Sequence, residues 1–181
     1  MIPKWETISK ERIQELKIFR ADLVKRFHPI WKKTSEFVVL ESNDWVNIIP
    51  ITKDNKVLLI EQFRQGSNSI TIEIPGGLIE SEEFPIDAAR RECLEETGYS
   101  STEELVLLGV SQPNPAFLNN KCYTYLWTGL EPVSEQKLDS NEEINILPTE
   151  MAIVKQMIKN GEINHSIITT AFLFYFLKFG F

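Results

Sequence analysis

A chain of 181 residues that is 43% apolar has the length for one domain, or one domain with an extension, around a sizeable core. Its net charge of −7 argues against a dedicated nucleic-acid-binding surface, and its two cysteines, Cys93 and Cys122, do not make a disulfide framework. The start, Met-Ile-Pro-Lys-Trp-Glu, lacks the features of a secretory signal, and the most apolar stretch, residues 167–176, is too short to span a bilayer; a reduced, cytoplasmic setting with no membrane and no nucleic-acid partner is expected.

Texture changes near residue 45. Before it, residues 10–27 mix charges with apolar Ile13, Leu16, Phe19, Leu23 and Phe27, a spacing that predicts a helix. Pro29 interrupts, and residues 37–40 read as a strand. Residues 45–51 form a second apolar run; residues 53–56 are a turn, and residues 57–60 with Phe63 complete a hairpin. Ser67-Asn-Ser69 is a further break, after which residues 71–74 run as a short strand into Pro75-Gly76-Gly77. A helix is then expected, with Pro85 in its first turn and Gly98 able to take the left-handed conformation that ends it. Residues 105–110 and 123–127 are strand-like. Thr149 is expected to cap a helix over about residues 150–159 that ends near Gly161, and a last helix runs from about residue 166 to 178. Runs of strands with few helices argue for an α+β sandwich.

The helix after Gly77 carries the chemistry. Glu92, Glu95 and Glu96 are three and four residues apart, so all lie on one face, while Ile86, Ala89 and Cys93 form a second stripe suited to a core. The acidic face is expected to look onto something other than protein interior. Crowded carboxylates repel one another unless a cation neutralises them, and an all-oxygen donor set suits Mg²⁺, with Mn²⁺ as the alternative. Arg91, four residues before Glu95, is placed to hold a carboxylate within the cluster. The plainer reading is a solvated acidic helix.

Gly77, Glu83, Arg91, Glu92, Cys93, Glu95, Glu96, Gly98 and Tyr99 match, position by position, a pattern that resembles the Nudix box. The resemblance implies a Nudix fold, a mixed β-sheet between helices, over residues 45–181, with metal-dependent cleavage of a nucleoside diphosphate linked to another moiety. It implies metal ligation by the Gly76 carbonyl, Glu92 and Glu96, with Glu95 either a further ligand or the partner of Arg91. Glu83, just ahead of Pro85, suits the positive end of a helix.

Glu61-Gln-Phe-Arg64 and the proline loop Gln112-Pro-Asn-Pro115 resemble the ADP-ribose pyrophosphatase and nucleoside diphosphate sugar hydrolase subgroup. Residues 1–44 are similar to the N-terminal extension of such enzymes, which implies a homodimer built partly from that segment. Arg64 either grips phosphate oxygens in two places or pairs with a carboxylate. Phe117, Trp45 or Trp31 is placed either to stack on a nucleobase or to pack in a core. For the general base the resemblance points to Glu142 first and Glu143 second, with the box glutamates, Glu95 among them, next; where some relatives carry a further glutamate, this chain has Ser140. The rival readings are another Nudix substrate (a dinucleoside polyphosphate, an oxidised nucleoside triphosphate or an RNA 5′ end) and a non-catalytic nucleotide-binding module.

Overall fold

The computed structural model describes residues 1–180. Its elements are β1 (Glu6–Glu15), β2 (Arg20–His28), β3 (Lys33–Glu41), β4 (Trp45–Thr52), β5 (Lys56–Arg64), β6 (Ser69–Glu73), β7 (Gly76–Leu78), α1 (Pro85–Thr97), β8 (Tyr99–Ser100), β9 (Val106–Ser111), β10 (Cys122–Pro132), β11 (Ile144–Glu150), α2 (Met151–Asn160) and α3 (Ser166–Phe179). The chain divides into two compact units, Met1–Asn43 with Gln112–Lys121, and Asp44–Ser111 with Cys122–Phe181.

The first unit is an antiparallel meander, β1-β2-β3, with Leu40 bridged to Leu118 of the returning loop. The helix expected over residues 10–27 is absent; those residues form parts of β1 and β2 joined by a turn in which the Leu16 N–H donates to the Phe19 carbonyl at 2.8 Å. Irregularities between Thr7 and Ser9 and between Arg12 and Gln14 break the two-residue alternation of β1, so its apolar positions imitate a helical stripe. The charges that would line a solvated helix face instead join strands. Asp22, 1% exposed, takes Arg12 Nε at 2.5 Å and Lys10 Nζ at 2.9 Å, and Glu41 on β3 takes Arg12 Nη2 at 2.8 Å.

In the second unit an eight-stranded sheet runs β11-β5-β4-β10-β8, with β6 on β5, β7 on β4 and β9 on β10. β4 and β10 are parallel and the other pairs antiparallel, which makes the sheet mixed. Successive strand residues point to opposite faces, and the neighbours Ile48 and Ile49, and Leu58 and Leu59, are completely buried on opposite sides. On one side Ile48 and Leu58 pack with Ala88, Ala89 and Cys93 of α1. On the other, Ile49 and Leu59 pack with Val154 of α2 and with Ile168, Ala171 and Phe172 of α3. This is the expected mixed sheet between helices. Thr149 does not cap α2: it lies in β11, its hydroxyl donates to the Leu147 carbonyl at 2.8 Å, and the helix begins after an extended Glu150. Among the described residues no helix is long and apolar enough to cross a membrane.

Candidate active site

The strand-turn-helix from β6 to α1 builds the site. β7 pairs with β4 in the register Asn47↔Gly76, Val46↔Gly77 and Trp45↔Leu78, which lays two glycines side by side under α1. A side chain at Gly77 would collide with the carboxylate of Glu92, so the helix seats its acids against bare backbone. Pro85 opens α1 after an extended Phe84, and Gly98, at φ 72°, closes it by donating its N–H to the Leu94 carbonyl at 2.8 Å. Between these stops Glu96 is 4% exposed, and its Oε2 accepts the Gly76 N–H at 2.9 Å. The acidic face is therefore less open than its sequence suggested. The glycine strand covers Glu96 and much of Glu92, whose side chain is 15% exposed, whereas that of Glu95 is 40% exposed.

One guanidinium organises the cluster. Arg91 grips Glu83 with Nε and Nη2, both at 2.9 Å, and turns Nη1 to Glu92 at 2.8 Å and Glu95 at 3.2 Å. Glu83 accordingly serves Arg91, which holds it below the usual carboxylate range, and also accepts the Glu80 N–H at 3.0 Å. Glu95 is paired with Arg91. Glu96 has no such guanidinium. Burial, and then the charges of Glu92 and Glu142, push its carboxyl well above the ordinary value of 4.5 against the opposing pull of the Gly76 N–H and Arg64. Glu92 is raised as well, by burial foremost.

Carboxylates whose charged forms are disfavoured by burial and by neighbouring acids suit a hard divalent cation. Among the described residues no three acidic, His or Cys side chains converge closely enough to enclose an ion unaided. Such an ion would complete its shell with backbone carbonyl, water and substrate oxygens, as Mg²⁺ commonly does.

Beside the cluster, Arg64 makes a two-pronged pair with Glu73, Nε to Oε1 and Nη2 to Oε2, both at 2.7 Å. Glu73 is 1% exposed, also accepts the Thr71 hydroxyl at 2.7 Å, and has His165 Nδ1 at 3.2 Å. Burial pushes Glu73 toward neutrality, but Arg64 and His165 prevail and hold it well below 4.5. A carboxylate with a depressed folded pKa stabilises the fold above its unfolded pKa and loses that contribution as pH falls through the native value. Glu73→Gln is thus expected to cost about 2–4 kcal/mol of unfolding free energy at pH 7 and progressively less below pH ~4, measured by urea denaturation at several pH values. An equal loss at pH 7 and pH 3 would contradict the assignment.

The charges of Glu96 and Glu142 add, after Glu73, to what keeps Arg64 charged. Glu142 is exposed on the loop before β11, where its carboxylate accepts the Asp139 N–H at 3.1 Å; Glu143 is exposed at the foot of that strand. Trp45 is half-buried at the start of β4, paired with Leu78 of the box strand. Phe117, 44% exposed, belongs to the other unit, where its carbonyl accepts the Leu40 N–H at 2.7 Å; there too Trp31, 69% exposed, stacks on His28 at 4.0 Å. Sequence reasoning missed Glu73, for which a lone acid inside the strand Thr71-Ile-Glu-Ile74 was the available signal.

The NUDIX domain family matches residues 43–169. The methanol dehydrogenase activator of Bacillus methanolicus is 29% identical over 164 residues, covering 90% of this chain and 85% of the relative. The ADP-ribose pyrophosphatase of Bacillus subtilis (strain 168) is 26% identical over 160 residues, 87% of this chain and 85% of that one. A mouse ADP-sugar pyrophosphatase is 38% identical over 101 residues, 50% of this chain and 46% of its own. Among solved structures, a crystal structure of an ADP compounds hydrolase superposes with a TM-score of 0.84 over 97% of this chain and 94% of its own; at 21% identity this likeness speaks for the fold alone.

Proposed function

This chain belongs to the Nudix family, and we propose that it hydrolyses the pyrophosphate bond of a nucleoside diphosphate sugar, with ADP-ribose as the leading substrate. Water adds to one phosphorus, the P–O–P bond breaks, and the products are a nucleoside monophosphate and a sugar phosphate: AMP and ribose 5-phosphate from ADP-ribose. The reading rests chiefly on the half-buried carboxylate of Glu92 and the buried one of Glu96, seated against Gly76-Gly77. Relatives of this chain bearing the names ADP-ribose pyrophosphatase and ADP-sugar pyrophosphatase support the substrate class.

In this reading Glu92, Glu96 and the Gly76 carbonyl would hold the divalent ion, Mg²⁺ or Mn²⁺. When bound, that ion supplies charge neutralisation at the diphosphate and acidifies a nearby water. Arg91 keeps the Glu92 and Glu95 side chains in place through its contacts at 2.8 and 3.2 Å. Arg64, anchored on Glu73 through Nε and Nη2, offers Nη1 to a phosphate oxygen. Glu142 takes the proton of the attacking water. Trp45 is the candidate within the same unit to hold the nucleobase.

An assay of the purified protein against nucleoside diphosphate sugars, dinucleoside polyphosphates and oxidised nucleoside triphosphates, each with Mg²⁺ and with Mn²⁺, tests this. Highest kcat/KM on ADP-ribose or a close relative is expected. Preference for a polyphosphate would overturn the substrate class, and inertness toward the whole panel would overturn catalysis.

The working form in this reading is a cytoplasmic homodimer to which residues 1–44 contribute. All ten residues of β1 are exposed, and Ile8, Ile13, Phe37 and Val38 of the first meander are 42–56% exposed, more apolar surface than isolated strands usually show to water. Light scattering is expected to give about twice the 20.9 kDa of one chain. Ile8→Glu with Ile13→Glu should shift it toward the single-chain mass, and a wild-type monomer at micromolar concentration would refute the dimer.

A further inference from the structure

Helices end with carbonyls that lack an intrahelical partner, and these normally turn to water or a cap. At the end of α1 they are met instead by one segment of the loop that follows β10. Val133 and Ser134 donate their N–H groups to the Gly98 carbonyl at 2.9 and 3.1 Å, and Lys137 donates to the Glu95 carbonyl at 2.8 Å. The Glu96 carbonyl takes a side chain, Nε2 of Gln136, at 2.6 Å. The same Nε2 donates to the Ile144 carbonyl at 3.2 Å.

Ile144 is 5% exposed and begins β11. Gln136 therefore joins the helix that carries Glu92 and Glu96 to the strand that closes the loop carrying Glu142. Within that loop the Glu142 N–H donates to the Asp139 carbonyl at 2.9 Å, and the Asp139 N–H donates to Glu142 Oε2 at 3.1 Å. These two bonds tie Glu142 to Asp139 within the turn. The charge of Glu142 contributes to raising the carboxyls of Glu92 and Glu96.

We propose that Gln136 is a positioning residue that holds the Glu142 loop in register with the carboxylate helix by donating both amide hydrogens, one to Glu96 and one to Ile144. The proposal rests on the reading of Glu142 as general base and goes beyond it. A primary amide of this length supplies two hydrogens from one atom to carbonyls on two elements without adding a charge. Glutamate offers no hydrogen when ionised and adds a like charge beside Glu96, asparagine is one methylene shorter, and methionine keeps the length without a donor.

Gln136→Met, in metal-saturated protein acting on the preferred nucleotide of the panel, is expected to lower kcat about ten- to a hundredfold, as misplacement of a catalytic group does. KM should stay within about twofold, since the substrate's binding groups lie elsewhere. Gln136→Asn, which keeps the amide but reaches one carbonyl, should fall between Met and wild type. A merely structural residue would cost the same in any background, so Gln136→Met is also made in Glu142→Gln, where it should cost less than about twofold because the group it positions no longer accepts a proton. An unchanged kcat in Gln136→Met, or an equal loss in both backgrounds, overturns the proposal. If Gln136→Met does not fold, as read by circular dichroism, Gln136→Asn carries both comparisons with the same outcomes. An inert wild type would instead remove the hydrolase reading on which the proposal stands.

Discussion

Glu96→Gln is expected to lower kcat on the order of a thousandfold, equivalent to about 4 kcal/mol of barrier, without weakening the metal-free fold. The two halves of that result have one origin. Glu96 is 4% exposed and accepts the Gly76 N–H at 2.9 Å, and glutamine presents an oxygen of the same shape to that donor. What glutamine removes is the charge. Burial, with Glu92 and Glu142 nearby, raises the Glu96 carboxyl well above 4.5 in the folded protein. A carboxyl raised on folding favours the fold below its unfolded pKa, and that contribution disappears as pH rises through the native value. Near neutral pH the charge of Glu96 is thus a burden on the metal-free fold and a ligand once a divalent ion is present. In EDTA, Tm of Glu96→Gln should equal or exceed that of wild type, with the margin widening as pH rises from about 5 toward the native pKa of Glu96. With millimolar Mg²⁺ wild type should gain stability and the variant little or none, because an ion that binds only the native state raises Tm by mass action. Wild-type turnover in the variant would sink the ligand assignment, and a large loss of Tm in EDTA would mean that Glu96 is chiefly structural.

The helix carrying this chemistry was legible because its stops are local. Pro85 and Gly98 each act through their own backbone, so start, end and acidic face follow from single positions. The continuous apolar runs of β4 and β5 were equally readable as strands, since Ile48 and Ile49, and Leu58 and Leu59, serve two faces of one sheet. Failure came where pairing across strands overrides local pattern. Ile13 and Leu16 look helical in sequence, yet one sits in an irregular strand and the other in a turn, and Asp22 is satisfied by residues ten and twelve positions before it. Likewise the pairing Ile60↔Glu73 and Arg64↔Ser69 sets β6 beside β5, and the Arg64–Glu73 bond crosses that pair. The burial of Glu96 depends on β7 lying under α1, which no spacing within α1 encodes.

Glu142→Gln is expected to lower kcat on the order of a hundredfold or more while KM changes less than about twofold, since a general base acts in the transition state. The substitution is mild for the structure. Glu142 is exposed, and its contact with the Asp139 N–H at 3.1 Å needs only an oxygen, which glutamine retains. Its backbone N–H, which donates to the Asp139 carbonyl at 2.9 Å, is untouched. The turn should keep its shape while losing its proton acceptor. Position favours Glu142 over Glu143, because the charge of Glu142 reaches Glu92, Glu96 and Arg64, the groups proposed to hold the ion and the diphosphate. Removing that charge should also make Glu92 and Glu96 easier to ionise, so metal affinity is expected to hold steady or fall only slightly while turnover drops. Glu143→Gln, one residue on at the foot of β11, should leave kcat within a few-fold of wild type. Steady-state kinetics of both variants at saturating Mg²⁺ separate the cases. Near-normal kcat in both would move the base to the box glutamates, with Glu95, whose side chain is 40% exposed, the first to replace.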